Sequence, residues 1–174
     1  WNLTGKLRFE KAWSMGLAIL KTEPANQQLL QQLYNLAKAK PEDVRFHKLM
    51  RRIIGVPAPN VEFEHFKLIL LEDYLQSSQL PRALTGDSCV DMVSPACKFQ
   101  YVDLAYLLAQ FLMNVSRGHE PSKNVSKALL RVLMTQLKSH KAERINEILL
   151  FLEESDAESE EYEMAKESVL LANR

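Results

Sequence analysis

Five glycines and seven prolines in 174 residues are too few for an all-β chain, whose many tight turns would need more of both. The glycines also stand singly, which excludes a dinucleotide fingerprint and a phosphate-cradling loop. Cysteine is scarce. Cys89 and Cys97 cannot frame a disulfide scaffold, so the expected setting is reducing and intracellular, cytoplasmic or nuclear. Net charge is zero, with 22 basic and 22 acidic residues, which removes any overall bias toward nucleic acid or membrane. No apolar run reaches the length of a membrane span, since the strongest, 104–113, is broken by Gln110; no membrane contact is expected. No signal peptide is visible, and the sequons at Asn2, Asn114 and Asn124 would matter only in a secreted protein. The chain opens at Trp1 rather than at methionine, and the expectation is a fragment of a larger protein.

What is present is the composition of a helical domain. Hydrophobic residues make up 47% and charged residues 25%, and the commonest types are good helix formers. Apolar spacing of three and four recurs, and alternation at two is nearly absent. The spacing predicts helices over 5–21, 25–39, 41–54, 61–76, 95–115, 122–139, 141–153 and 158–172. Thr4 is placed to cap the first, Pro41 to open the third with Glu42 and Asp43 in its first turn, and Ser94-Pro95 to open the fifth. Gly55 followed by Pro57, and Gly118, mark helix ends, and Pro121-Ser122 introduces the next start. "YVDLAYLLAQFLM" (101–113) is apolar on nearly all sides, which places it centrally, and "FKLILLEDYL" (66–75) is similar. The helix at 122–139 is one-sided and is expected on the outside. The fold expected is all-α, about eight helices in an irregular antiparallel helical-repeat stack or compact bundle. It forms one domain over 1–174, with a long loop at 77–95 and an acidic break at 153–163.

The opening "GKLRFEKAWSMGLAILKTEP" has Phe9 three residues before Ala12, and Pro24 twelve after it. Leu30 and Leu33 follow on the next helix. This pattern resembles the second helix of a tetratricopeptide repeat and the start of the next unit. The resemblance implies that Ala12 permits a close helix–helix approach and that Pro24 lets the chain turn back. It covers residues 1–40. Gly16 stands where the family prefers a large residue, Gly5 is off the usual turn offset, and no second copy follows at the family period of about 34 residues.

No catalytic constellation is expected. "GDSCV" (86–90) begins like a nucleophile elbow but has Val90 where the second glycine belongs, and no strand precedes it. Cys89 and Cys97 lie too far apart in sequence for a usual thiolate metal pair. His47, His65, His119 and His140 show no i, i+4 pairing. The chain is therefore read as non-enzymatic, without metal or cofactor.

Charge is unevenly placed. Residues 1–60 carry ten basic and four acidic side chains, and 151–174 carry two and eight. Within the basic part, Arg45, Lys48 and Arg52 share one helix face by i, i+3, i+7 spacing, flanked by Arg51 and preceded by Lys38 and Lys40. "LKSHKAER" (137–144) is a smaller basic turn. In the acidic break Ser155 precedes Asp156 and lies three before Glu158, a setting acid-directed kinases favour. Helical stacks present extended surfaces. The expected function is a protein–protein interaction module, a scaffold or adaptor whose partner is another protein. The alternative is nucleic-acid binding through the basic face of 41–54.

Overall fold

The structure is a computed structural model that describes residues 3–174. The fold is all-α, and among the described residues there are nine helices and no strand. Internal packing falls into two compact units, Trp1–Ala83 and Leu84–Arg174, where a single domain over 1–174 is the expectation from sequence.

The first unit contains α1 (Leu3–Leu20), α2 (Gln27–Lys38), α3 (Val44–Gly55) and α4 (Val61–Ser77). Each start after α1 is fixed by a side chain that accepts a backbone N–H left over by the first turn. Asn26 accepts from Leu29, Asp43 from Arg45, and Asn60 from Phe63. Asp43 is thus the cap of α3, and Pro41 and Glu42 lie before the helix rather than inside it. Thr4 falls within α1, not at its cap. Val56, the residue before Pro57, is extended, as the proline ring requires, and this ends α3. The core gathers Tyr34, Phe46, Phe63, Leu71 and Tyr74, with Phe46 tilted against Tyr34 at 5.4 Å and edge-on to Tyr74 at 5.2 Å. Helix α4 is less enclosed than its apolar sequence predicts, since Ile69 is exposed.

Helix α1 packs on α2 and buries Phe9, Trp13, Gly16 and Leu20. Ala12 is exposed, so the small residue at the contact is Gly16 instead. A Cβ at Gly16 would lie 2.7 Å from Leu33 Cδ2. That separation leaves no room even for a methyl without moving Leu33.

The second unit contains α5 (Gly86–Lys98), α6 (Val102–Val115), α7 (Lys123–Lys138), α8 (Ala142–Ser155) and α9 (Glu160–Ala172). The single helix expected over 95–115 is two helices, and the long loop expected over 77–95 ends at Thr85. The cause is a capping box: the Thr85 hydroxyl accepts from the Ser88 N–H, and the Ser88 hydroxyl accepts from the Thr85 N–H. It starts α5 at Gly86, well ahead of Pro95, which lies inside the helix. "GDSCV" is the first turn of that helix. The acidic break narrows to 156–159, because α8 runs on through Ser155 and Ser159 caps α9.

Helix α6 packs on α5, α7 and α8, burying Leu104, Ala105, Leu108, Ala109, Leu112 and Met113. Helix α7 is not an outer helix: it packs on α5, α6, α8 and α9, and buries Thr135 and Gln136 as well as Leu129, Val132 and Leu133. Gln136 is satisfied in the core by donating to the Val102 carbonyl (2.9 Å) and accepting from Arg144, which also pairs with Asp103 at 2.8 Å.

Two of the connections close alike. After α5 the Tyr101 N–H bonds the Ala96 carbonyl and the Gln100 N–H bonds Cys97, with Gln100 at φ +61°. After α7 the Lys141 N–H bonds Gln136 and the His140 N–H bonds Leu137, with His140 at φ +55°. Both are Schellman closures, and each delivers the chain straight into the next helix. The second lies about 40 residues beyond the first. At the same offset Cys89 and Leu129, Val93 and Leu133, Leu108 and Ile148, and Leu112 and Leu152 are all buried.

Two outcomes are expected from this packing. Gly16→Leu destabilises the first unit by about 1–3 kcal/mol, the usual cost of overpacking. Adding Leu33→Ala recovers part of the loss in a double-mutant cycle by denaturant titration. Equal stability of Gly16→Leu and wild type refutes the close contact. His140→Gly stabilises by about 0.5–1 kcal/mol, because glycine takes the left-handed conformation without strain. Thermal unfolding checks this, and a lowered midpoint contradicts the Schellman assignment.

Candidate interaction surfaces

The six basic candidates do not form one free surface. Arg45 is held by its neighbours: its guanidinium pairs with Glu10 at 2.7 Å and Asp43 at 2.9 Å, and stacks 4.5 Å from the Phe9 ring. It therefore fastens the start of α3 to α1. Its hydrogen bonds and charge hold the Asp43 carboxyl below its ordinary range. Lys38 pairs with Asp73 at 2.8 Å, and Arg51 donates to the Arg82 carbonyl at 2.8 Å. Lys40, Lys48 and Arg52 are exposed. Arg45, Lys48 and Arg52 do follow one row of α3, but Arg45, the first of them, is used internally.

Beneath it lies a polar network that the residue types alone did not announce. Tyr34 donates to Asp73 at 2.5 Å. Burial pushes the Asp73 carboxyl up, but the hydrogen bonds from Lys38 and Tyr34 and the Lys38 charge bring it below its ordinary value. His47, buried, meets Tyr74 Oη through Nδ1 at 2.6 Å, and the Ala83 N–H donates to the same oxygen at 3.0 Å. Burial, then the charges of Arg82 and Arg51, hold the His47 imidazole below its ordinary 6.5. The only sequence signal was a histidine at the buried edge of a basic helix.

A second surface is apolar. Helix α1 exposes Leu3 (74%), Leu7 (62%), Met15 (56%) and Ile19 (43%). With Lys11 between them, these follow one i+4 ridge of the helix, the ridge type by which helices interlock. In the second unit a wide recess of about 760 Å³ is lined by the apolar Met113, Leu150 and Phe151 and by the acidic Glu147, Glu154 and Asp156. Ser155 also lines it, half-buried in the last turn of α8. A phosphate there would face the negative end of the helix dipole, which disfavours it. Tyr106 donates to Glu147, and burial followed by that bond raises the phenol to about 12.

The two cysteines are free and buried, and burial raises the Cys89 thiol to about 12. Cys89 Sγ donates to the Leu108 carbonyl at 3.4 Å. Among the described residues no group of three His, Cys, Asp or Glu side chains could hold a metal ion, and no helix is long and apolar enough to cross a membrane. Comparison with protein-family models, with curated proteins and with solved structures finds no match to the chain.

The His47 environment sets a pH dependence. In the unfolded chain the imidazole binds a proton at about 6.5, while in the fold it does so only at lower pH. The contribution is fully present above about 6.5 and is lost as pH falls through the folded value. Denaturant midpoints are expected to fall between about pH 7.5 and about pH 5.5 in the wild type, and to fall less in His47→Gln. An equal decline in both chains removes His47 as the cause.

Proposed function

We propose that the chain is a non-catalytic protein–protein interaction module of scaffold or adaptor type, working inside the cell. The observation that carries this is the apolar ridge of α1. Leu3 and Leu7 before Lys11, and Met15 and Ile19 after it, are large apolar side chains left in water along one i+4 row, and exposed apolar groups gathered on one helix support an interaction site. Lys6, Arg8 and Lys11 are exposed on the same helix, so an amphipathic partner helix with acidic flanks is the complementary class. The similarly closed hairpins α5–α6 and α7–α8 support an irregular helical-repeat architecture, the usual carrier of such surfaces. The free, buried cysteines support a reducing compartment.

Nucleic-acid binding through α3 has less to draw on. With Arg45 paired to two carboxylates, Lys48 and Arg52 remain on that face, and few phosphate contacts give little affinity.

The test compares wild type with a Leu7→Glu/Met15→Glu chain by affinity purification with cross-linking mass spectrometry. The expected result is loss of the partners cross-linked through Lys6 or Lys11, with an unchanged thermal midpoint. Undiminished recovery of the same cross-linked partners overturns the reading. So does binding to single-stranded RNA that weakens steeply with salt and is abolished by Lys48→Glu/Arg52→Glu, in favour of nucleic acid.

A further inference from the structure

The first unit has a small recess of about 280 Å³, lined by the turn before α3 and by the segment after α4. His47 forms part of its wall. That side chain is 6% exposed and makes its hydrogen bond through Nδ1. Among the described residues no buried side-chain nitrogen or oxygen lacks a partner. Nε2, which has no hydrogen bond, is therefore the atom that the recess opens to solvent.

Tyr74 Oη accepts the Ala83 N–H, and its own hydrogen is available to His47 Nδ1, 2.6 Å away. A neutral imidazole that accepts at Nδ1 carries its hydrogen on Nε2. In that tautomer the recess has an N–H donor in its wall. Arg82 lines it as well, and Arg51 is tethered to the Arg82 carbonyl. Ser77 and Gln79 add a hydroxyl and an amide that can donate. Glu42 is the one carboxylate on the lining, and it opposes multiply charged ligands more than singly charged ones.

We propose that this recess is a binding site for a singly charged oxyanion, a carboxylate or a phosphate monoanion carried by a small ligand, held by His47 Nε2–H and the Arg82 guanidinium. The fit is chemical. An oxyanion supplies acceptors to both groups, and a charge-assisted hydrogen bond from a guanidinium is among the stronger ones available. The buried imidazole is oriented before the ligand arrives, so little ordering cost falls on binding. This site is separate from the α1 ridge, and either can fail without the other.

The test is a two-dimensional ¹H–¹⁵N NMR titration of the full chain, with inorganic phosphate and acetate as probes and sodium chloride at matched ionic strength as reference. The expected result is a saturable shift of the His47 Nε2 and Arg82 Nε resonances, with little change elsewhere. A response to phosphate alone assigns a phosphate ligand, and one to acetate alone assigns a carboxylate. Arg82→Gln is expected to weaken the response about tenfold or more. Gln79→Glu, which adds a negative charge to the wall, should weaken it in the same direction. Both residues are exposed, so both variants should keep the wild-type spectrum elsewhere. The proposal is overturned if neither probe moves His47 beyond the chloride reference. It is also overturned if the response survives unchanged in both variants.

Discussion

A helix can end only where its last carbonyls find new partners, and a chain with five glycines must meet that demand mostly with other residues. Among the described residues Gly118 is the one glycine with positive φ. Gln100 and His140 take the left-handed position after α5 and α7, at a steric cost that the two Schellman bonds of each closure offset. Elsewhere the chain turns at caps: Asn26, Asp43, Asn60, Thr85, Ser122 and Ser159 each accept a backbone N–H from the first turn. Helices α6 and α8 have no side-chain cap, and both begin directly after a Schellman closure. The closures and caps divide the work of turning between them.

This explains what could be seen in the sequence. Helix period and composition are local, so the all-α class and most of the helix positions were legible. The exception was 77–115. There Pro95 looked like a start, because a proline usually opens a helix or breaks one. The competing signal, Thr85 with Ser88, was the true start, but neither residue is a glutamate or glutamine, the usual partner in a capping box. The correspondence between α5–α6 and α7–α8 was illegible for a related reason. The buried positions match, but they are filled by Cys89 against Leu129 and Ala96 against Gln136, which share burial and not chemistry.

Faces were harder to read than helices, because what a face meets is decided by distant residues. Arg45 shows this. Spacing put it with Lys48 and Arg52, and that is correct as local geometry. Its fate was set by Glu10 and Phe9, some thirty-five positions earlier, which no periodicity connects to it. The same applies to Gly16. It was an irregularity within the tetratricopeptide pattern, and it is the residue that lets α1 approach Leu33, while Ala12 faces solvent.

Charge asymmetry along the chain therefore overstates what a partner would meet. The basic excess of residues 1–60 is partly consumed where Lys38 meets Asp73 and Arg45 meets Glu10 and Asp43. These pairs are partly exposed, and each alone adds little stability. What they do is fix geometry. Asp73, held by Lys38, also accepts from Tyr34, and its neighbour Tyr74 orients His47. An ion pair and the partner of a buried imidazole thus sit on consecutive residues of α4. Around α3 the charges left over are those of Lys48 and Arg52, which share one helix face, and of Arg82, which lines the recess beside His47.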